Sequence, residues 1–410
     1  MKNKWTVLAF LCVIFVVYTV VRAFPGLFAL PMQKELGISD VAFGVINSAV
    51  FWAYAACVPF AGVIGDHFNR RKVIGLAVVF WSVMAVATGF AGGYWALFVL
   101  VSIGITGPQT LYSPSAHALI SQCHRETRTI ALSCHQAAYY TGWFLSGLIA
   151  AATLAWFDSW RAAYFIFGGL GIALGAVFLF CSRDAASARQ AAAAADAPSV
   201  REAFGAFFRC PSAVLAALGY TSMVFAAFGY TAWGPKFVAL KFGISPGAAG
   251  TGVMSWHFAA AFPAILVAGW LSDRLVKTWP RFRLCLQIAA LLLIAPTFVL
   301  FGFGGSLAVV WFAAFAYGVL RGTFEANQVA SVFDVVDVRY RATALSCMNI
   351  FAGLIGSLAP MLVGALSQSR GIRGFEIGFA LLGASLGLGA VLMGVSALFT
   401  FNRDRIRERA

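Results

Sequence analysis

The sequence predicts an all-α membrane protein with twelve transmembrane helices in two pseudo-symmetric six-helix bundles. Of the 410 residues, 61% are hydrophobic and 11% are charged, whereas soluble domains carry about 25% charged residues. The apolar runs are continuous and long enough for spans of roughly 20 residues, without the alternation typical of a β-barrel. The two halves of the chain also resemble each other. These observations exclude a soluble multidomain protein and a disordered chain.

At about 34 residues for each helix and its loop, the chain accommodates twelve spans. The first apolar run, Trp5–Val21, lacks a small-residue cleavage site and continues through Arg22 to Met32, so we expect a first span and not a signal peptide. The predicted spans are 5–32, 41–65, 73–92, 95–121, 130–155, 162–182, 212–239, 246–271, 283–302, 306–332, 342–368 and 375–401.

These spans predict four parts of the chain. Residues 1–182 form an N-terminal six-helix bundle and 212–401 a C-terminal one, while 402–410 form a basic cytoplasmic tail. Between the bundles, 183–211 is the longest polar stretch and is expected to be a cytoplasmic linker. Its Ser199-Val-Arg-Glu202 pattern is a capping box, which predicts an amphipathic surface helix.

The basic charge of the chain follows its topology. The net charge is +14, and most of the 29 lysines and arginines lie in loops on one side if the N-terminus is inside. This asymmetry follows the positive-inside rule and indicates cytoplasmic termini in a bacterial inner membrane, with no nucleic-acid partner. The eight cysteines are scattered without a C-x-x-C pair, and no P-loop is present. We therefore expect neither a metal site nor a cofactor nor an enzyme, and we expect a monomer.

An internal repeat relates the two halves. Three ordered matches at nearly constant offset indicate a duplicated six-span unit, an arrangement typical of transporters with a site at the membrane midplane. The matches are Gly37-Ile-Ser39 with Gly243-Ile-Ser245, Gly62-Val-Ile-Gly-Asp66 with Gly269-Trp-Leu-Ser-Asp273, and Arg128-Thr-Ile-Ala-Leu-Ser-Cys134 with Arg341-Ala-Thr-Ala-Leu-Ser-Cys347.

The loop after the second span carries a family pattern. Gly62-Val-Ile-Gly-Asp66-His-Phe-Asn-Arg70-Arg71-Lys72 resembles the signature of the major facilitator superfamily, and Asp273-Arg274 resembles its second copy. Arg128 belongs to a further pattern of this family before span five. The resemblance implies that Asp66, Arg70, Arg71, Asp273 and Arg128 hold the cytoplasmic side shut and release it during transport. The alternative is that these are solvated loop charges.

A narrower resemblance lies in the first two spans. Tyr18-x3-Arg22, Leu30-Pro-Met-Gln-Lys-Glu-Leu-Gly-Ile-Ser39 and Phe51-Trp-Ala-Tyr54 resemble the anion:cation symporter family, which carries sugar acids, hexuronates and other carboxylates. The organophosphate:phosphate antiporter family shares the first arginine. Its second arginine would align near Ala227, so that half of a phosphate clamp is missing. The position beside Arg22 holds Val21 where symporters often carry an acid, which leaves the coupling ion open.

Arg22 is the first candidate for substrate binding. A guanidinium at membrane depth costs roughly 2.5–3.5 kcal/mol, so a buried arginine in a span is a functional candidate. Its planar fork suits a carboxylate or phosphate. Tyr18 lies one turn earlier on the same face and adds a hydroxyl. The alternatives are a structural arginine satisfied by backbone carbonyls and a tyrosine that serves in packing.

Arg321 and Glu325 form the second candidate group, because residues four apart share a helix face. Three interpretations remain open: Glu325 carries the coupling proton, the pair serves the substrate site or a gate, or the pair is structural. Protonation of Glu325 would release Arg321 for the anion.

Other polar and aromatic residues of the spans are candidates for the central cavity. His135 is a second candidate for proton coupling, and His117 and His257 are weaker ones. Under the 213-residue offset Gln136 corresponds to Asn349, so these two amides are expected to face the cavity. Each of these side chains has packing as its alternative role. The predicted substrate-binding residues are Arg22, Tyr18, Gln136, Tyr139, Asn349, Arg321 and Trp233.

The function that we predict is secondary active transport of a small organic anion by alternating access, driven by protons. Sugar-phosphate exchange and proton-linked export of drugs or lysolipids are alternatives within transport. A membrane sensor that binds a metabolite without transporting it is the alternative from another class. The anion and the mode of coupling stay open.

Overall fold

In the computed structural model, the described residues are 3–124, 126–181 and 200–406, with side chains except those of 58–67, 129, 181, 203 and 342. Within these residues, twelve helices are long and apolar enough to cross a membrane, as predicted. The first six are α1 Lys4–Leu27, α2 Asp40–His67, α3 Arg70–Gly89, α4 Tyr94–Cys123, α5 Arg128–Phe157 and α6 Trp160–Cys181. The others are α7 Pro211–Phe242, α8 Pro246–Leu275, α9 Phe282–Phe303, α10 Leu307–Phe333, α11 Arg341–Gly356 continued by Leu358–Arg370, and α12 Ile372–Asp404.

Two shorter α-helices lie between spans in the described part of the chain. Ala29–Leu36 follows α1, and Val200–Phe208 precedes α7. The predicted amphipathic segment is therefore helical, although its predicted capping residue Ser199 lies outside the described residues. Phe207 is buried, Phe208 packs edge-on against Phe351 of α11, and the Tyr340 hydroxyl donates to Glu202 at 2.6 Å. These contacts hold the helix to α11 and to the loop before it.

The turns before α2 and α8 have the same geometry. Gly37 and Gly243 both have φ of 64°, a left-handed conformation that favours glycine. Two residues later, the hydroxyl oxygens of Ser39 and Ser245 each accept from a backbone N–H three positions on, at 3.2 Å. The repeated Gly-Ile-Ser sequence thus encodes the same helix start twice.

A π-helical turn in α8 explains why the offset between the repeats changes. α2 begins at Asp40 and α8 at Pro246, 206 residues later, whereas the matched Gly62 and Gly269 are 207 apart. The turn Thr251–Ser255 lies between these points, and a π-helical turn accommodates one extra residue in a helix. Beyond this turn, residues of α8 therefore correspond to residues of α2 with a 207-residue offset.

Contacts between the helices divide the chain into two compact units. The first contains α1–α6 together with 232–255, the end of α7 and the beginning of α8. In this unit the hydroxyls of Ser255 and Thr251 donate to the carbonyls of Phe144 and Gly147 on α5, at 2.7 and 3.1 Å. The second unit contains the earlier part of α7, the remainder of α8 from Trp256, and α9–α12.

In the second unit, α8 and α10 pack at close range through Gly318 and Gly322. A Cβ atom at Gly318 would lie 2.2 Å from the carbonyl oxygen of His257, and one at Gly322 would lie 2.3 Å from that of Ala261. Small residues four apart allow such backbone approach between membrane helices. This packing places the side chains of α8 beside Arg321 and Glu325 of α10.

Candidate functional site

Arg22 on α1 lies among aromatic side chains. Its Nη1 donates to the Tyr18 hydroxyl at 3.0 Å, and its guanidinium lies 5.6 and 5.5 Å from the ring centroids of Phe51 and Tyr54 on α2. Among the residues whose side chains the structure describes, no carboxylate lies within ion-pair distance of Arg22. Arg22 and Tyr18 share a helix face, as their four-residue spacing predicts, and their side chains are in contact.

Tyr139 on α5 joins this aromatic surround, because its ring packs 5.4 Å from Phe15 of α1 and its hydroxyl interacts electrostatically with Arg22. The first unit thus brings together three of the predicted substrate-binding residues: Arg22, Tyr18 and Tyr139. Gln136, one turn before Tyr139 on α5, is exposed. Asn349 occupies the matching place on α11 in the second unit and is also exposed.

His135 is enclosed by its neighbours. Its ring stacks on Phe15 with centroids 4.3 Å apart and meets His117 edge-on at 5.2 Å. The Tyr112 hydroxyl donates to the Leu11 carbonyl at 2.6 Å, so it accepts from Nε2 of His135 at 3.1 Å. This network ties α1, α4 and α5 together. A role of His135 in proton coupling stays a prediction.

Arg321 and Glu325 are in contact in the second unit. Arg321 Nε donates to Glu325 Oε1 at 2.7 Å, and both side chains are largely buried. Arg321 Nη1 also lies 3.2 Å from Nε2 of His257 on α8, and its guanidinium lies 5.3 Å from the centroid of the Phe258 ring. The predicted pair is therefore part of a larger cluster that includes His257.

Arg22 and Arg321 each lie against a phenylalanine, and the two phenylalanines occupy equivalent positions of the repeat. With the 207-residue offset that holds beyond the π-helical turn, Phe51 of α2 corresponds to Phe258 of α8. Phe51 lies against Arg22 in the first unit, and Phe258 lies against Arg321 in the second. The duplicated framework thus presents a phenylalanine ring to an arginine at the same position of each half, although the arginines lie on different helices.

Trp233, a predicted substrate-binding residue, is fully buried in the first unit. Its ring meets Phe43 of α2 at 5.9 Å, and Lys236 Nζ lies 5.4 Å from its centroid. Trp233 thus packs where the end of α7 meets α2.

The predicted gating residues occupy helix ends. The side chain of Asp66 lies outside the described residues. Arg70 is buried at the start of α3, where the Asn69 side chain accepts from the backbone N–H of Arg71 at 3.0 Å. Arg128 is exposed at the first turn of α5. Their gating role stays a prediction.

Asp273, the second-copy acid, belongs to a three-residue cluster of the second unit. Arg283 at the start of α9 donates to Asp273 at 2.9 Å and to Asp334 at 3.0 Å. Burial raises the pKa of the Asp334 carboxyl, and the Arg283 guanidinium acts in the opposite direction. The cluster ties together the ends of α8, α9 and α10.

Comparison with known proteins decides the family. Residues 10–360 match the profile of the Major Facilitator Superfamily. The chain belongs to this superfamily. It is a membrane transporter with the major facilitator fold, and not an enzyme.

Individual relatives are distant. An MFS-type efflux pump of Mycolicibacterium smegmatis is 26% identical over 99% of this chain and 95% of its own length. A probable sulfoacetate transporter of Cupriavidus necator is 22% identical over 95% and 93%. The crystal structure of a bacterial homologue of the human lysosomal transporter Spinster, inward-facing and unoccupied, superposes with a TM-score of 0.88 at 20% identity and covers both chains fully.

A buried ion pair of this transporter was not predicted from the sequence. Lys236 near the end of α7 donates to Asp40 at the start of α2 and, at 2.7 Å, to Gln33. Gln33 in turn donates to Asp40 at 2.9 Å. The predicted spans put Lys236 at a span end and Asp40 in a loop. Because the two residues lie so far apart in the chain, no local sequence pattern relates them.

We predict that Lys236→Met destabilises the transporter by about 3–5 kcal/mol, because it removes the buried cation that contacts the Asp40 carboxylate. The double variant Lys236→Met/Asp40→Asn is expected to be less destabilised than the sum of the two single variants. Arg339→Met, which breaks an exposed ion pair with Asp337, is the control and should leave the unfolding temperature nearly unchanged. The measurement is thermal unfolding of purified protein, and additive single effects contradict the assignment.

Proposed function

We propose that this transporter moves a small organic anion, such as a sugar acid, hexuronate or similar carboxylate, by alternating access and with proton coupling. The observation that carries the proposal is the guanidinium of Arg22, which lies inside a span with the Tyr18 hydroxyl and two rings as its neighbours. An arginine of this kind binds a carboxylate through two parallel hydrogen bonds. An anion would supply the missing counter-charge.

The charge of the two clusters favours an anionic substrate over a cation. The Arg22 cluster contributes one positive charge, while Arg321 and Glu325 neutralise each other. A cation would meet repulsion from Arg22, and desolvation inside the membrane strengthens that repulsion. The probable sulfoacetate transporter among the relatives supports the same substrate class.

Glu325 is our proposed carrier of the coupling proton, with His135 as the second candidate. The Glu325 carboxylate contacts a guanidinium inside the second unit, so its protonation changes the charge of that cluster from neutral to positive. A positive cluster attracts the anion, and proton and substrate therefore bind cooperatively.

Export of an amphipathic compound is the second candidate function. The efflux pump of Mycolicibacterium smegmatis matches nearly the whole chain, and the aromatic surround of Arg22 would also accept an apolar group. The two functions differ in their requirement for charge, because an exporter of this kind needs no anionic group on its cargo.

Our proposal extends to the bundles, the gate, the orientation in the membrane and the oligomeric state. We infer two six-helix bundles at 1–182 and 212–401 that rock about a central site, with Asp66, Arg70, Arg71, Asp273 and Arg128 in the gate. The Lys and Arg distribution supports cytoplasmic termini in a bacterial inner membrane. We propose that the transporter works as a monomer.

Arg22→Lys is expected to weaken substrate affinity by about tenfold to a hundredfold, because it retains the charge and loses the bidentate fork. Arg22→Ala is expected to abolish binding, and Arg373→Ala, a change at an exposed arginine, serves as the control. The measurement is the thermal shift of each purified variant with sulfoacetate, ascorbate, glucuronate and glucose 6-phosphate. Equal shifts in wild type and Arg22→Ala, for an anion that stabilises wild type, would rule out the anion clamp.

Glu325→Gln mimics the protonated carboxyl, so we expect this variant to bind and exchange substrate but not to accumulate it. Glu376→Gln is the matched control, an acid at the beginning of α12 that is paired with Arg373, and it should accumulate substrate like wild type. The measurement is uptake into proteoliposomes with and without an imposed pH gradient, alongside counterflow. Accumulation by Glu325→Gln would move the proton site elsewhere, with His135 as the next candidate.

A further inference from the structure

The contact between Arg321 and His257 determines which form of the histidine is present. Arg321 Nη1 lies 3.2 Å from His257 Nε2. A guanidinium has N–H donors and no acceptor, so Nε2 must contribute a lone pair. His257 is therefore neutral in this arrangement and carries its proton on Nδ1. An imidazolium here would place two positive charges in contact.

The surrounding helices leave the imidazole little freedom. His257 is fully buried, with ring centroids 4.4 Å from Tyr317, 4.8 Å from Phe258 and 5.4 Å from Tyr230. The backbone of α10 approaches its carbonyl at Gly318. The π-helical turn ends at Ser255, two residues before His257, and its extra residue sets the register of this part of α8.

The groups that face His257 are few among the described residues. Arg321 and Tyr317 approach it from α10 and Tyr230 approaches it from α7, while Glu325 joins the cluster through its contact with Arg321. The backbone carbonyl of Ala314 on α10 lies close enough to influence the imidazole electrostatically. Its geometry is not that of a hydrogen bond, and Nδ1 has no hydrogen-bond partner among the described residues. The acidic group of this set is Glu325, the proposed proton carrier, and Arg321 contacts both its carboxylate and His257.

We propose that His257 is a positioning residue that holds the Arg321 guanidinium in place when Glu325 is protonated and its charge is lost. The proposal rests on the proposed function, in which Arg321 then attracts the anion. With Glu325 ionised, the carboxylate itself orients Arg321 and the histidine matters less. His257 is thus needed in one half of the proton cycle.

The first test reads the tautomer directly and requires no substrate. The chain has five histidines, so ¹⁵N-histidine spectra of purified protein in lipid are simple enough to assign His257 by difference with His257→Gln. At neutral pH we expect a neutral ring with its proton on Nδ1, both in wild type and in Glu325→Gln. An imidazolium, or a proton on Nε2, in either protein overturns the proposal.

The second test measures anion binding by thermal shift, with sulfoacetate, ascorbate and glucuronate as probes. In the Glu325→Gln background, His257→Leu removes the acceptor and is expected to weaken affinity by about tenfold or more, the effect of one hydrogen bond to a charged group. His257→Gln offers an amide oxygen and should restore affinity to within about threefold. With Glu325 present and ionised at alkaline pH, His257→Leu should have a smaller effect.

The outcomes separate the two claims. Equal loss of affinity in His257→Gln and His257→Leu, or equal loss with and without an ionised Glu325, identifies a packing role and overturns the positioning role. If no anion stabilises wild type, the proposed function fails. The spectra then decide alone whether Nε2 accepts from Arg321.

Discussion

The charge of Arg22 is the constraint on which the remainder of the account depends. A guanidinium within a membrane span is costly unless a partner compensates it. Arg321 has Glu325 as its partner in the second unit, whereas Arg22 contacts a hydroxyl and aromatic faces among the described residues. In the proposed function, these different surroundings give the two arginines different roles. The charge of Arg22 is available to a ligand, and that of Arg321 becomes available when Glu325 is protonated.

Duplication explains much of the framework and little of the chemistry. The turns before α2 and α8 have the same glycine φ of 64° and the same serine cap distance of 3.2 Å. Phe51 and Phe258, at equivalent positions of the repeat, each lie against an arginine guanidinium, at 5.6 and 5.3 Å. The acid and histidine of the Arg321 cluster lack counterparts, since Glu325 corresponds to Tyr112 and His257 to Val50. The acid and histidine beside Arg321 therefore belong to the second half alone, whereas His117 and His135 of the first half lie at other positions.

The sequence predicts features that depend on residues close together in the chain, and it does not predict contacts between distant residues. Hydrophobic runs predict the twelve helices, and four-residue spacing predicts that Arg22 shares a helix face with Tyr18 and Arg321 with Glu325. The ion pair between Lys236 and Asp40 was not predicted, because it depends on how α7 meets α2. The contact of His257 with Arg321 is likewise not evident from the sequence, because it depends on close packing at Gly318 and on a π-helical turn that apolar periodicity does not reveal.

An anion site at Arg22 is tested most sharply with pairs of ligands that differ in charge and have nearly the same shape. A set of organic acids with a single acidic group, including glucuronate and smaller carboxylates, is paired with the corresponding primary amides, and the unfolding temperature of the purified wild-type transporter is measured with each compound. If Arg22 forms an anion site, at least one acid raises the unfolding temperature while its amide, of nearly the same shape, does not. Equal stabilisation by acid and amide, or stabilisation by uncharged amphipathic compounds alone, would contradict an anion site at Arg22.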